Sequence, residues 1–195
     1  MAWSNSILEE TQRLEVESRL KTPFWLRPLH GYSTTRGELL LVYSTAVAFA
    51  SLVLISIQDR LVGLSALQIA ILVMVSLDLA GGAVANLCPG TRTYWRSRTV
   101  SLRLFFLAAH ALHLLGLAFV FPEAAVSATL AYLWMLASGT ILILTGNTSV
   151  PLALSLVLVG AAVIQLPQGL EPAASLLLSV FLAKLVFSFS GGPKN

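Results

Sequence analysis

Residues 39–58 read LLLVYSTAVAFASLVLISIQ, twenty consecutive positions without a charged side chain. A helix rises about 1.5 Å per residue, so a helix of this length covers the ~30 Å hydrocarbon core of a bilayer. Lipid offers no water to the backbone, and a continuous apolar run satisfies its own backbone groups only as a helix. The stretch therefore predicts a transmembrane helix.

Five more apolar stretches follow it at short intervals. The chain is 56% hydrophobic and 11% charged, whereas roughly a quarter of the residues in soluble domains carry charge. The fold class predicted is all-α, a polytopic integral membrane protein with six transmembrane helices, of which the fifth is the shortest. The six stretches are Leu39–Gln58, Leu61–Gly82, Thr99–Phe121, Ala124–Thr145, Val150–Leu166 and Leu170–Phe189.

Positive charge is concentrated before the first stretch and between the second and third. The positive-inside rule places both regions in the cytoplasm, with the N- and C-termini on that side of a bacterial-type plasma membrane. Arg60 is the one base that this topology puts on the opposite side. The predicted division is a cytoplasmic interfacial segment (1–38), a six-helix transmembrane domain (39–190) and a cytoplasmic tail (191–195).

The N-terminal segment is predicted to contain a short surface helix. Ser6 and Glu9 have capping-box spacing, and three acid-to-base pairs at i,i+4 follow, of which the last is Glu17 with Lys21. Pro23 ends this helix. Trp95, in the second basic region, is interpreted as an interfacial anchor.

Composition and missing motifs exclude several function classes. The net charge of +3 is explained by membrane orientation, so no nucleic-acid partner is expected. Cys88 is the single cysteine, which precludes an internal disulfide. The chain has no Walker loop, dinucleotide glycine pattern, His-Glu-x-x-His or Gly-x-Ser-x-Gly, so we expect no cofactor.

Ionisable residues inside the predicted spans are the best functional candidates, because each costs at least ~2.5 kcal/mol near the bilayer centre unless it is paired or hydrated. Long side chains either snorkel to the headgroups or line a site, and both readings stay open for the arginine and the lysine in this set. The short carboxylate requires a partner or water, and we hypothesise that it pairs with one of those two cations. The residues are Asp78, Arg103, His110, His113 and Lys184.

The sequence around the carboxylate is DLAGGAVAN, residues 78–86. Helical spacing puts Gly82 near the face of Asp78 and Asn86 at its edge, which leaves room for a neighbouring backbone, a water or a ligand. Close helix packing around an Asp78–Arg103 pair is the structural alternative.

His110 and His113 form a His-x-x-His pair near mid-membrane. A transition-metal site usually needs a third or fourth ligand, and no clustered Cys, Glu or His is found in the other spans, so no metal site is predicted. Proton relay and hydrogen-bonded helix packing are the readings that remain.

Three functions compete. The first is transport or binding of a small anionic solute or lipid headgroup in a cytoplasm-facing cavity. The second is an intramembrane enzyme using His110 or Asp78 as general base, and the third is a structural or assembly subunit of a membrane complex. We predict the first and expect a homo-oligomer, because six short-looped helices enclose little space. The candidate ligand-binding residues are Asp78, Asn86, Arg103, His110, His113 and Lys184.

Overall fold

Helices account for almost all of the regular structure in the computed structural model, which describes residues 19–145 and 150–190. Short 3₁₀ turns cover Phe24–Leu26, Gln58–Gly63 and Pro122–Ala124, and a π-helical segment, Ala183–Ser190, continues the last helix. The helices are α1 (Arg27–His30), α2 (Arg36–Ser56), α3 (Ala66–Ala85), α4 (Pro89–Arg96), α5 (Val100–Ala109), α6 (Ala111–Val120), α7 (Ala125–Thr145), α8 (Val150–Ile164) and α9 (Pro172–Leu182).

Within the described residues, five helices are long and apolar enough to cross a membrane, when α5 and α6 are taken together and α9 is taken with its π-helical continuation. The remaining stretch, α8, has 15 residues and reaches about 22 Å at ~1.5 Å per residue, less than a hydrocarbon core. The all-helical fold is thus confirmed, with five helices that are long and apolar enough to span a membrane, and the predicted sixth span is not confirmed.

Capping residues fix where the first two long helices begin. Thr35 Oγ1 accepts from the Glu38 amide at 3.1 Å while Glu38 Oε2 accepts from the Thr35 amide at 2.8 Å. Ser65 and Gln68 repeat this reciprocal arrangement at the start of α3. The predicted start of the second span at Leu61 is therefore wrong, since the preceding residues form a 3₁₀ turn and the capping box delays α3 to Ala66.

The described part of the N-terminal segment, from residue 19 onward, docks on the loop between the second and third spans. Leu20–Lys21 (β1) pairs antiparallel with Ser33–Thr34 (β2), so the predicted surface helix does not continue to Pro23; its earlier part lies outside the described residues. Gly31, with φ of +71°, lies against the backbone of Gly90, a contact that a side chain would block.

Trp95 also belongs to this docked region. Its side chain is 7% exposed, and its Nε1 donates to the Pro28 carbonyl at 2.9 Å. The interpretation as an interfacial anchor is wrong, because Trp95 joins α4 to the N-terminal segment from the inside.

The last helix lies at the centre of the bundle. Of the five long helices it is the most buried, and its π-helical continuation packs against α3, α7 and α8. Polar groups on it are consequently enclosed by other helices, which makes Lys184 a buried residue.

At the end of the bundle opposite α4, three connections meet through one ion cluster. Arg60 donates to Glu123 at 2.8 Å and to Glu171 at 3.0 Å. The connections after α2, after α6 and before α9 are thereby held together.

Candidate functional site

Three of the predicted residues form one hydrogen-bonded cluster inside the bundle. Asp78 Oδ2, on α3, accepts from Lys184 Nζ and from His113 Nε2, the latter at 2.6 Å. The side chains are 45% exposed for Asp78, 21% for His113 and 3% for Lys184. The structure thus pairs the carboxylate with a buried cation and leaves nearly half of the Asp78 side chain exposed.

Gly82 makes room for Lys184. A Cβ added at Gly82 would lie 2.5 Å from Lys184 Cε and 2.9 Å from its Nζ. A side chain at that position would displace the ammonium from Asp78. The space that sequence analysis assigned to a backbone, a water or a ligand is occupied by the lysine side chain.

Lys184 comes from the π-helical segment. Its carbonyl accepts from Ser188 Oγ at 2.6 Å and from Asn86 Nδ2 at 3.5 Å. Asn86 therefore contacts the lysine backbone rather than the charged cluster. The π-helix is rare and is frequent at functional sites, and no pattern in the sequence signals this one.

The two histidines are brought into register by a break between α5 and α6. The His110 amide donates to the Leu107 carbonyl and the His113 amide to the His110 carbonyl, both i to i−3 bonds. In such a tightened turn residues i and i+3 eclipse each other. The rings accordingly stack, with centroids 4.8 Å apart and planes 14° from parallel.

His110 extends the cluster without touching the carboxylate. It is buried, and its Nδ1 donates to the Phe106 carbonyl at 2.7 Å. That bond fixes the orientation of the ring. His113 Nδ1 is buried and has no hydrogen-bond partner within the described residues.

Arg103 lies apart from this cluster. It is 9% exposed, and its guanidinium carbon is 6.0 Å from the centre of the Phe189 ring. The alternative in which Asp78 pairs with Arg103 is wrong, because Lys184 reaches the carboxylate first. Lys184 is 3% exposed and bonded to Asp78, so snorkelling does not describe this lysine in the folded chain.

Two open grooves flank Asp78 on the outer surface of the bundle. One, of about 400 Å³, lies between α2 and α3 and is lined by Val42, Tyr43 and Met74. The other, of about 350 Å³, lies between α3 and α6 and reaches Leu112 and His113. A ligand would therefore approach the exposed part of Asp78 from the outer surface of the bundle, between apolar side chains.

The fold brings the Asp78 carboxylate, on α3, close to the two histidines, a grouping that could hold a metal ion and that the sequence did not reveal. Asp78, His110 and His113 each offer a ligand atom, and these atoms lie within 4.8 Å of one another. Lys184 is hydrogen-bonded to Asp78 Oδ2, the oxygen that also accepts from His113. The two imidazole rings are stacked nearly parallel, so their nitrogen lone pairs do not converge on one point. A divalent cation would have to displace Lys184 and turn one ring.

Comparisons with protein-family models, with curated proteins and with solved structures found no match to this chain.

Proposed function

We propose that this chain is a small membrane transport or binding protein that takes a lipid headgroup at Asp78 from within the bilayer. The observation that carries the proposal is the half-exposed carboxylate between two outward-facing apolar grooves. A charged group at membrane depth is costly unless something polar meets it. A lipid can supply both the polar group and the chains that fill the grooves.

The exposed atoms favour a headgroup that donates hydrogen bonds. The ligand expected from the sequence was an anionic solute or a lipid headgroup, with Arg103 and Lys184 both among the candidate binding residues. In the fold Lys184 is buried and bonded to Asp78, and Arg103 is absent from the cluster. What remains accessible is a carboxylate oxygen, which accepts from amines and hydroxyls.

The geometry gives less support to the two competing functions. A general base must reach the proton it abstracts, but His113 uses Nε2 on Asp78 and its Nδ1 is buried. A subunit whose charges only join helices would enclose the whole cluster, whereas Asp78 keeps 45% of its side chain exposed.

The test compares two probes that differ in hydrogen-bond donors. Short-chain phosphatidylethanolamine and phosphatidylcholine share chains and phosphate, but only the first has N–H groups. In dodecyl maltoside we expect native mass spectrometry to show a roughly tenfold preference for phosphatidylethanolamine, the size of one charge-assisted hydrogen bond.

Asp78→Asn removes the charge while keeping the shape, and should abolish this preference. Asp59→Asn, the same change in the exposed 3₁₀ turn after α2, is the matched control and should keep it. A folded Asp78→Asn protein with the full preference would disprove the proposed site.

We further propose six membrane crossings with both termini in the cytoplasm. Support comes from Arg60, whose contacts put Glu123 and Glu171 at one end of the bundle. α7 runs away from the Arg60 end of the bundle, and α9 begins at that same end. The chain must therefore cross back between these two helices, and α8 is the helix that makes this crossing. The same contacts neutralise the one base that the positive-inside rule does not explain.

Cysteine labelling in intact cells tests this orientation. Pro122→Cys and Gly169→Cys, at exposed positions of the Arg60 end, should react with an impermeant thiol reagent. Native Cys88, near the start of α4 at the other end, should stay unlabelled until the cells are opened. Burial raises the pKa of the Cys88 thiol, so a denatured sample is needed as the positive control. Labelling of Cys88 from outside would reverse the assignment.

A further inference from the structure

A second polar site, separate from Asp78, lies near the start of α5. We propose that Arg103 binds a phosphate group there, supplied by a lipid headgroup or by soluble phosphate. This inference goes beyond the proposed function and uses none of the residues of the Asp78 cluster.

Arg103 is a buried cation without a countercharge. It is 9% exposed, and its Nε is buried with no hydrogen-bond partner in the part of the chain that the structure describes. No carboxylate within residues 19–145 and 150–190 forms an ion pair with it. A guanidinium carries five donors and stays charged, so burying it without an anion is unfavourable.

The surroundings of Arg103 concentrate positive charge. Burial, and after it the charges of Arg92 and Arg103, lowers the pKa of Arg96. The guanidinium groups of Arg92 and Arg103 are thus both close enough to Arg96 for their charges to act on it. An anion near Arg103 would relieve that repulsion.

Aromatic rings form the apolar side of this site. Phe189, whose ring faces Arg103, packs against Trp95 at 5.2 Å and Phe106 at 4.7 Å between ring centres. An aromatic wall keeps water away and strengthens charge-assisted hydrogen bonds. Its edge-on and tilted contacts hold Phe189 in place under the guanidinium.

Phosphate is the oxyanion that fits best. The planar fork of a guanidinium donates two parallel bonds to a phosphate, and a tetrahedral anion has oxygens left for a second arginine. Arg103 lies about one turn into α5 from its first residue, Val100. At that depth Arg103 lies close to the layer of lipid phosphates and to the aqueous phase beside it, so phosphate from either source can reach it.

The experiment measures thermal stability and affinity in dodecyl maltoside, which contains no phosphate. One arm adds sodium phosphate against sodium chloride of equal ionic strength. The other adds dioctanoyl phosphatidic acid against dioctanoylglycerol, which has the same chains and no phosphate. Arg103→Met keeps an unbranched, flexible side chain that replaces the aliphatic part of the arginine, and removes its charge. Arg98→Gln is the matched control, because it removes a charge from the same region where Arg98 stacks on Tyr94 at 4.2 Å.

We expect wild type to melt at a higher temperature with at least one phosphate-bearing probe than with the matched phosphate-free compound. Arg103→Met should melt higher than wild type without phosphate, because it removes an uncompensated buried charge, and should bind the active probe roughly tenfold to a hundredfold more weakly. Arg98→Gln should stay within about twofold of wild type for that probe, because the Arg98 guanidinium is already engaged by the Tyr32 hydroxyl and the Tyr94 ring. Asp78→Asn should leave the response to phosphate unchanged.

The two arms identify the source. A response to phosphatidic acid alone indicates a lipid headgroup, and a response to inorganic phosphate indicates a soluble anion. Wild type without a response in either arm disproves the site, and this arm does not depend on the folding of any variant. An undiminished response in Arg103→Met, or in Arg103→Ala if the first variant does not fold, disproves the role of Arg103.

Discussion

Two ion clusters in this chain have opposite compositions. At the end of the bundle Arg60 is shared by two carboxylates, those of Glu123 and Glu171. Within α3 Asp78 is shared by two bases, Lys184 and His113. Side chains of the first cluster keep between 21% and 45% of their surface exposed, whereas Lys184 keeps 3%.

The difference in solvent exposure decides how much each cluster contributes to the stability of the fold. Exposed charges lose little hydration when they pair, so their pairing contributes at most about 1 kcal/mol. A buried ammonium has lost its water, and the partner becomes a requirement of folding. Each cluster has three ionisable groups. The Arg60 cluster therefore links loops with little gain in stability, whereas the Asp78 cluster contains an ion pair that folding requires.

The largest effect should come from removing the carboxylate. Asp78→Ala leaves Lys184 buried without a countercharge, which we expect to lower the free energy of unfolding by about 3 kcal/mol. Neutralising the lysine as well, in Asp78→Ala/Lys184→Met, should restore most of that loss. Chemical denaturation in detergent measures both. A double variant no more stable than the single one would show that the pair is not the source of the loss.

A smaller loss should follow from filling the space beside Lys184. Gly82→Ala forces the pinned lysine to shift, and overpacking of this kind costs about 1–2 kcal/mol. Gly160→Ala is the matched control, because a Cβ there meets nothing within 4 Å. Thermal melts of the two variants should separate clearly. Equal melting temperatures would mean that Lys184 adapts freely.

The exposed cluster should give a still smaller change that salt removes. Arg60→Gln is expected to cost less than about 1 kcal/mol. Raising the salt from about 0.1 M to 1 M should erase the difference from wild type, because exposed charges are screened over a few Å at the higher concentration. The loss in Asp78→Ala should survive the same salt. A salt-resistant Arg60→Gln would remove the distinction between the clusters.

The smallest effect concerns a third polar contact, at the opposite end from Arg60. His30 Nε2 lies 2.9 Å from the Tyr43 hydroxyl, and burial lowers the pKa of His30. The unfolded chain therefore binds a proton first as the pH falls below about 6.5, and stability is lost on acidification. His30→Gln should reduce the loss between pH 7.5 and 5.5 by less than about 1 kcal/mol. An identical pH profile in wild type and variant would contradict this.

Sequence reasoning found the members of the Asp78 cluster but not their arrangement. Charges in apolar runs are conspicuous, so Asp78, His113 and Lys184 were all identified. Arg103 and Lys184 were both candidate partners for Asp78, and only the path of the central helix decides which one reaches the carboxylate.

Local departures from α-helical geometry account for most of the contacts that were not predicted from the sequence. The break at His110 and the π-helical turns after Ala183 rotate side chains by amounts that a spacing of 3.6 residues per turn does not give. The start of α3 was readable in the Ser65–Gln68 capping spacing. Contacts of Trp95 with the N-terminal segment depend on two regions far apart in sequence, which no local pattern encodes.

The length of α8 has a consequence for the surrounding lipid. If its 15 residues cross the membrane, the hydrocarbon beside them must contract from ~30 Å toward the ~22 Å that such a helix covers. Lipids on that flank are shortened or tilted, while those beside α2 and α3 are not. Each ångström of mismatch costs a fraction of a kcal/mol. Under the proposed six-crossing topology, and with α8 as short as its described residues, the chain has a thin side and a thick side. Bilayers of shorter acyl chains should then accommodate it at lower cost than bilayers of longer ones.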